Sequence, residues 1–394
     1  MMLTEIKKLA TDITPRLIEI RRHFHAHPEL SGREYQTAAY VAGVLSSSGL
    51  AVREGVGKTG VIGELKGTGE SSNYLAIRTD MDALPIHEMS QLEFASRNAG
   101  IMHACGHDLH TTVGLGTAMI LSQLKDYIKG DIRFLFQPAE ETAQGACLMV
   151  ADGAMKGIDS VFGLHVFPSI PAQIVGVRYG ALTSAMDDIE ITIQGEAGHG
   201  ARPHQAIDAI WIAAQVITSL QQAISRTQNP LDPLVLTIGQ IQGGRAANII
   251  ADQVKMVGSV RSLNPELREN LPQWITNIVH SVCQMYGATA EVNYKHCLPS
   301  VQNDPDLTKI IEKSAQEALG EENVISIPEP SLGAEDFAIY LEHAPGAMFR
   351  LGVGKQGQHN YPLHHPRFIL DESSIFTGVV TMAYSAYRYF LQRG

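Results

Sequence analysis

Ile132-Arg133-Phe134-Leu135-Phe136-Gln137-Pro138-Ala139-Glu140-Glu141 decides how this chain is read. The apolar run Ile132–Phe136 predicts a buried strand that closes on a pair of adjacent carboxylates. Before it, Val61–Leu65 and Tyr74–Arg78 read as short strands, and a helix is predicted from about His110 to Tyr127. After it, Val161–Val166 reads as a further strand. The N-terminus opens with Ile6, Leu9, Ile13, Leu17, Ile20 and Phe24 at helical spacing, and a second helix is predicted over Glu34–Ser47. Such alternation predicts an α/β domain with a largely parallel sheet.

From about Met186 the pattern changes. Ile189, Ile191 and Ile193 alternate with Glu190, Thr192 and Gln194, as in a strand with one wet face. A helix over Gln205–Arg226 follows, then strands near Leu234–Ile241 and Gln253–Arg261. A helix after Pro265 and a strand near Thr289–Tyr294 complete the order β-α-β-β-α-β of a ferredoxin-like module. From Pro299 onward helix and strand alternate again. The expected organisation is a catalytic domain of residues 1–184 and 297–394 interrupted by a smaller domain of residues 185–296.

A chain of 394 residues is long for one compact domain, which fits two unequal ones. A formal charge of −11 argues against a nucleic-acid partner, which calls for basic patches. Four cysteines at this length exclude a disulfide scaffold and suit a reducing compartment. No segment reads as a signal peptide or membrane span, so a cytoplasmic protein is expected.

The carboxylate pair acquires meaning from His103-Ala104-Cys105-Gly106-His107-Asp108, where a thiol and two imidazoles lie close in sequence. One carboxylate can bind a metal while its neighbour serves as a base. The candidate ligands are Cys105, His107, Glu141, His165 and one of His364 or His365. Most fall where predicted strands end, the usual place for sites in open α/β sheets. Five ligands suit two ions about 3.5–4 Å apart. Spacing alone does not decide this, since the motif is neither His-Glu-x-x-His nor a paired Cys-x-x-Cys.

Three other clusters are read as structural. His23, His25 and His27 would share a face only on a strand, yet they end an amphipathic helix before Pro28. Gly55-Val56-Gly57-Lys58-Thr59-Gly60 matches G-x-G-x-x-G but runs into the strand Val61–Leu65, whereas a dinucleotide fingerprint needs a helix there. Gly352-Val353-Gly354-Lys355-Gln356-Gly357 fails likewise, and both are expected to be glycine turns.

Over nearly its whole length the chain resembles the amidohydrolase branch of the aminoacylase/carboxypeptidase-G metallopeptidase family, which includes hippurate, N-acyl-amino-acid and auxin-conjugate hydrolases. The matching segments begin with Arg21-Arg22-His23-Phe24-His25-Ala26-His27-Pro28-Glu29-Leu30 and Arg78-Thr79-Asp80-Met81-Asp82-Ala83-Leu84-Pro85. They continue with His103–Asp108, Gln137–Glu141 and Gly163-Leu164-His165. Gly198-His199-Gly200-Ala201-Arg202-Pro203, Gly333-Ala334-Glu335-Asp336-Phe337 and Leu363-His364-His365-Pro366 complete the set.

The resemblance implies a catalytic domain with a mixed sheet flanked by helices, plus an inserted ferredoxin-like domain acting as lid and dimerisation element. It implies two divalent metal ions, Zn²⁺ or Mn²⁺ with Co²⁺ or Ni²⁺ as substitutes, held by Cys105, His107, Glu141, His165 and His364. The family pattern His-x-Pro prefers His364 over His365. Glu140 takes the place of the base, Asp82 that of the residue orienting the ligands, and His199 that of a donor to the tetrahedral intermediate. Asn248 and Arg261 match positions that bind the substrate's carboxylate, which suits the permanently charged, bidentate guanidinium of Arg261. The implied activity is hydrolysis of N-acetyl- or N-benzoyl-type amino acids by a homodimer or higher homo-oligomer, the alternative being a dipeptidase or carboxypeptidase. One departure, Ala251 where proline is usual, touches only local backbone.

Overall fold

The N-terminal helix α1, Met2–Ala26, buries Ile6, Leu17, Ile20 and Phe24 and leaves Lys8 and Glu19 in solvent. These details come from a computed structural model that describes residues 1–393. Helix α2, Tyr35–Ser47, precedes the strands β1 (Ala51–Val56), β2 (Gly60–Leu65) and β3 (Tyr74–Asp80). Then come α3 (His107–Gln123), β4 (Asp131–Gln137), α4 (Gly145–Ala151), β5 (Ser160–Pro171) and β6 (Val175–Val177). The second unit carries β7 (Ala185–Gln194), α5 (Ala209–Thr227), β8 (Leu234–Gly243), β9 (Gln253–Ser262), α6 (Pro265–Met285) and β10 (Thr289–Leu298). The chain closes with α7 (Pro305–Leu319), β11 (Val324–Ser326), α8 (Phe337–Leu341), β12 (Gly346–Gly354) and α9 (Ser374–Arg393).

Two compact units result. The first comprises Met1–Leu182, Gln302–Glu329 and the stretch from Asp336 onward; the second comprises Thr183–Val301 with Pro330–Glu335. That last segment, expected from sequence in the larger domain, is tied to the second unit by Ser184 N–H donating to Gly333 O at 3.1 Å.

The first unit is built on an eight-stranded mixed sheet ordered β1-β2-β4-β3-β5-β12-β6-β11. Its four central strands, β4, β3, β5 and β12, run parallel; β1–β2, β2–β4 and β12–β6 are antiparallel. Strand β11, at the far edge, is again parallel to β6, so the sheet is mixed, with the parallel pairing expected from alternation in its four central strands and in that edge pair. Strand β1 escapes a sequence reading because it is an exposed edge, Ala-Val-Arg-Glu-Gly-Val, with no apolar face to betray it. Gly57 (φ 61°) and Lys58 (φ 89°) take left-handed backbone in the β1–β2 turn, as tight hairpins require. The first glycine motif is thus a turn. The second is a turn only at Gly357 (φ 72°) and is otherwise corrected: Gly352 and Gly354 belong to β12, and a Cβ on Gly352 would meet Pro171 O at 2.0 Å. Close passage of β5, not a turn, demands glycine there.

Two further expectations shift. Helix α3 begins at His107 rather than His110, after Gly106 in left-handed backbone at φ 83°. Every residue from His107 to Leu121 is buried, so no amphipathic pattern marked its start. Strand β5 runs on to Pro171, which puts His165 inside the strand, opposite Arg350 of β12, and not at its end.

In the second unit the sheet order is β8-β9-β7-β10, antiparallel throughout, with α5 and α6 packed against it: the ferredoxin-like arrangement. Ile189, Ile191 and Ile193 form one side of its core, with Ile212, Val216, Leu271 and Ile275 opposite. Helix α5 starts at Ala209 because Asp208 caps it, accepting from Ile210 N at 3.0 Å and Trp211 N at 3.1 Å. No helix among the described residues is long and apolar enough to cross a membrane.

A buried charge cluster ties this unit together. Asp187 accepts from Arg268 Nη2 at 2.6 Å, Tyr294 Oη at 2.9 Å and Cys297 N at 3.1 Å. Burial alone would push its carboxyl up; the bonds from Arg268 and Tyr294 outweigh that and hold it below the ordinary range. Asp187→Ala, which strands the Arg268 charge, is expected to cost about 3–5 kcal/mol of stability at neutral pH. A depressed carboxylate contributes stability above its unfolded pKa and loses it as pH falls through its folded value. Melting curves should therefore show the gap between wild type and variant narrowing from pH 6 towards pH 3; a constant gap would contradict the assignment.

Candidate metal centre

Strand β4 ends at Gln137, and the chain turns at Ala139 (φ 53°) and again at Ala143 (φ 55°), left-handed conformations uncommon for alanine. Between them lie Glu140 and Glu141. Opposite, Gly106 lets the chain pass Val166, since a Cβ there would meet Val166 Cγ2 at 2.6 Å. That close approach sets Cys105 Sγ 3.5 Å from His165 Nε2.

Cys105, His107 and His165 form one compact donor group, Cys105, Glu141 and His364 a second, and His107, Glu140 and Glu141 a third. His107 Nε2 lies 3.8 Å from Glu141 Oε1 and 4.0 Å from Glu140 Oε2; His364 Nε2 lies 3.5 Å from Glu141 Oε2. Every metal-ligand candidate from the sequence, and Glu140 with them, is therefore brought together within the first unit.

Partners behind the site fix each imidazole's tautomer. His107 Nδ1–H donates to Asp82 O at 3.0 Å and Oδ1 at 3.2 Å; His165 Nδ1–H donates to Val166 O at 2.8 Å. Both rings thus present an Nε2 lone pair to the site. Nε2 of His107 and Oε1 of Glu141 are buried and have no hydrogen-bond partner among the described residues. With the His107 ring neutral, these are two acceptors a few ångströms apart, an arrangement that suits a cation.

The electrostatics agree. Burial pushes the Cys105 thiol well up, and the Glu141 charge adds to it. Burial opposes the charged form of His107, yet Asp80, Cys105 and Asp82 together raise it well above the ordinary imidazole value. Burial drives His165 well down, with His110 and Arg350 pushing the same way. So many acids around one point favour whatever positive charge is available.

His364 is separated from its neighbour. Its backbone takes φ 65°, and its N–H donates to Ala104 O at 2.8 Å. A hydrogen bond with Glu141 raises its pKa. The His365 ring instead stacks on Tyr361 at 4.4 Å and accepts from Arg367 N at 3.0 Å.

Several supporting residues went unread in the sequence. His110 donates Nδ1–H to Asp80 at 2.6 Å and accepts Val166 N–H at 2.8 Å, so both its nitrogens are engaged. It braces the strand beside His165. Asp336 accepts from Arg78 Nη2 at 2.6 Å and from Ala146 N at 3.0 Å, tying β3 to α4. The matching Arg-Thr-Asp-Met-Asp and Gly-Ala-Glu-Asp-Phe segments were the available signal. His25 is buried against Asp108 and Glu88, at 2.8 and 3.0 Å, and is structural as expected. His103 is also buried, its pKa lowered by burial to about 4, and it joins none of the donor groups.

His199, Asn248 and Arg261 lie in the second unit. His199 and Asn248 are neighbours, because the short strands Gly198–His199 and Ile249–Ile250 pair and Gly200 N–H donates to Asn248 O at 2.9 Å. Both side chains are exposed. Arg261, on β9, donates Nη1–H to Leu332 O at 3.0 Å.

Thiol, imidazoles and paired carboxylates gathered beside an α/β sheet define a metal-dependent hydrolase. The chain belongs to peptidase family M20/M25/M40, whose model matches residues 76–388, and within it to the amidohydrolase branch. It is 69% identical to the "Probable hydrolase sll0100" of Synechocystis sp. over 98% of both chains. It is 40% identical to an N-acetyl-L-cysteine deacetylase of Bacillus subtilis, covering 95% of this chain and 88% of the relative. With thermostable carboxypeptidase 1 of Saccharolobus solfataricus it shares 38% identity over 98% of this chain and 99% of the relative. Among solved structures, the B. subtilis YXEP protein, a dinuclear metal binding peptidase from the M20 family, matches with TM-score 0.85 and 37% identity, over 97% of this chain and 99% of that one.

Proposed function

We propose that this enzyme hydrolyses the amide bond of N-acyl-amino acids, releasing a free amino acid and a carboxylic acid. The observation that carries the reading is the orphaned pair, His107 Nε2 and Glu141 Oε1, beside a second carboxylate, Glu140. Cys105, His107, Glu141, His165 and His364 would hold two divalent ions, with Zn²⁺ or Mn²⁺ first and Co²⁺ or Ni²⁺ as substitutes. Such ions polarise the scissile carbonyl and lower the pKa of water toward about 7.

This chain's own groups do the rest. Glu140 takes a proton from the attacking water and returns it to the leaving nitrogen as the C–N bond breaks. Asp82 holds His107 in the tautomer that offers Nε2 outward. His199 donates to the developing oxyanion, an interaction worth roughly 3–4 kcal/mol when preorganised. Asn248 and Arg261 bind the substrate's carboxylate. The working form is a homodimer or larger homo-oligomer in the cytoplasm, assembled through the second unit.

The identity to a deacetylase supports the N-acyl reading; the similar identity to a carboxypeptidase keeps peptide cleavage as the second reading. A panel of N-acetyl-amino acids, N-benzoyl-amino acids, dipeptides and longer peptides separates them. The N-acyl compounds should give the highest kcat/KM, with His199→Ala lowering kcat and Arg261→Ala mainly raising KM. Faster cleavage of dipeptides or longer peptides would overturn the substrate assignment.

A further inference from the structure

Glu34 is fully buried, and no step above uses it. Its Oε1 accepts from Gly32 N at 2.7 Å and Ala139 N at 2.9 Å; its Oε2 accepts from Thr59 Oγ1 at 2.5 Å. Ala139 is the left-handed residue that turns the chain into Glu140. The carbonyl of Ala139 is held locally, by Gln144 N at 3.3 Å and Gly145 N at 3.1 Å. Its N–H is held from 105 residues away, by Glu34 alone among the described contacts.

The other side of Glu140 is built the same way. Glu141 N–H donates to Asp82 Oδ2 at 3.1 Å, and that oxygen also accepts from Ser31 Oγ at 2.6 Å. Glu140 therefore sits between two backbone amides, each gripped by a buried carboxylate. Both grips trace to one segment, Ser31–Glu34, which precedes α2. A non-glycine residue in left-handed backbone is strained and persists only where its surroundings impose it.

We propose that Glu34 is a positioning residue for Glu140, its carboxylate clamping the Ala139 turn so that the base stays aimed while Glu141 faces the metal-ligand cluster. The proposal rests on the base role given to Glu140. A misplacement of about 1 Å in a reacting group costs on the order of 10²-fold in rate without weakening substrate binding.

The test compares Glu34→Ala, Glu34→Asp and Glu34→Gln with wild type on the amide panel, measuring kcat, KM and metal content, with Glu140→Ala alongside. Aspartate keeps the charge but is one methylene too short to reach Ala139 N. Glutamine can accept both amides through its oxygen while its NH₂ donates to Thr59 Oγ1. Glu34→Ala and Glu34→Asp should lower kcat about 10–100-fold, with KM changed less than about threefold and metal content unchanged. Glu34→Gln should keep at least about a third of kcat, its hydrogen-bond geometry being preserved. Wild-type kcat in the aspartate protein, a loss that merely tracks lost metal, or equal damage from glutamine and aspartate would each overturn the clamp. Should the alanine protein not fold, the aspartate protein decides the question. Activity in Glu140→Ala would instead overturn the base role, so the two failures are told apart.

Discussion

Glu140→Ala should bind metal as wild type does and turn over substrate about 10²–10⁴-fold more slowly, the range a positioned proton-transfer group contributes. Adjacent carboxylates with different partners make this a sharp prediction. Glu141 Oε2 lies 3.5 Å from His364 and its Oε1 is an orphan, so it is placed to ligate. Glu140 approaches His107 at 4.0 Å and also groups with Glu335 and Asp336, away from Cys105 and His364. Removing Glu141 should accordingly strip metal and activity together, while removing Glu140 should separate them. Steady-state kinetics with metal analysis on the same preparations reads both. Retained turnover in Glu140→Ala would take the base role away from it.

Exhaustive chelation is the second large effect. Turnover should fall to background, and Zn²⁺, Mn²⁺ or Co²⁺ should restore it. The reason lies in the cluster itself: Cys105, whose thiol burial and Glu141 push up, becomes a thiolate ligand only when a cation offsets the surrounding charge. Chelation would therefore remove the Lewis acid and leave Cys105 as a protonated thiol. Full activity after complete metal removal would contradict this outright.

Most of the candidate ligands, and the candidate base, were legible because they sit in short runs of unusual composition: Cys105 with His107, Glu140 with Glu141, His364 with His365; His165 was singled out by its place on a predicted strand. Their supports were not. Glu34, His110 and Asp336 are ordinary polar residues until the fold brings them to Ala139, Val166 and Arg78 from distant parts of the chain. Element type followed from periodicity wherever one face was wet, as at Ile189, Ile191 and Ile193. Boundaries failed where burial was complete or absent. Helix α3 is buried on all sides, β5 continues past Val166 because β12 pairs with it that far, and β1 is an exposed polar edge. Periodicity reports contrast between faces, and these segments have none.

The most direct measurement is anomalous scattering from crystals grown with Zn²⁺ or Mn²⁺. Two peaks about 3.5–4 Å apart should appear among Cys105, His107, Glu141, His165 and His364, with the Cys105 sulfur about 2.3 Å from one zinc. Peaks elsewhere on the chain, or a single ion with Cys105 and His165 turned away from it, would contradict the account.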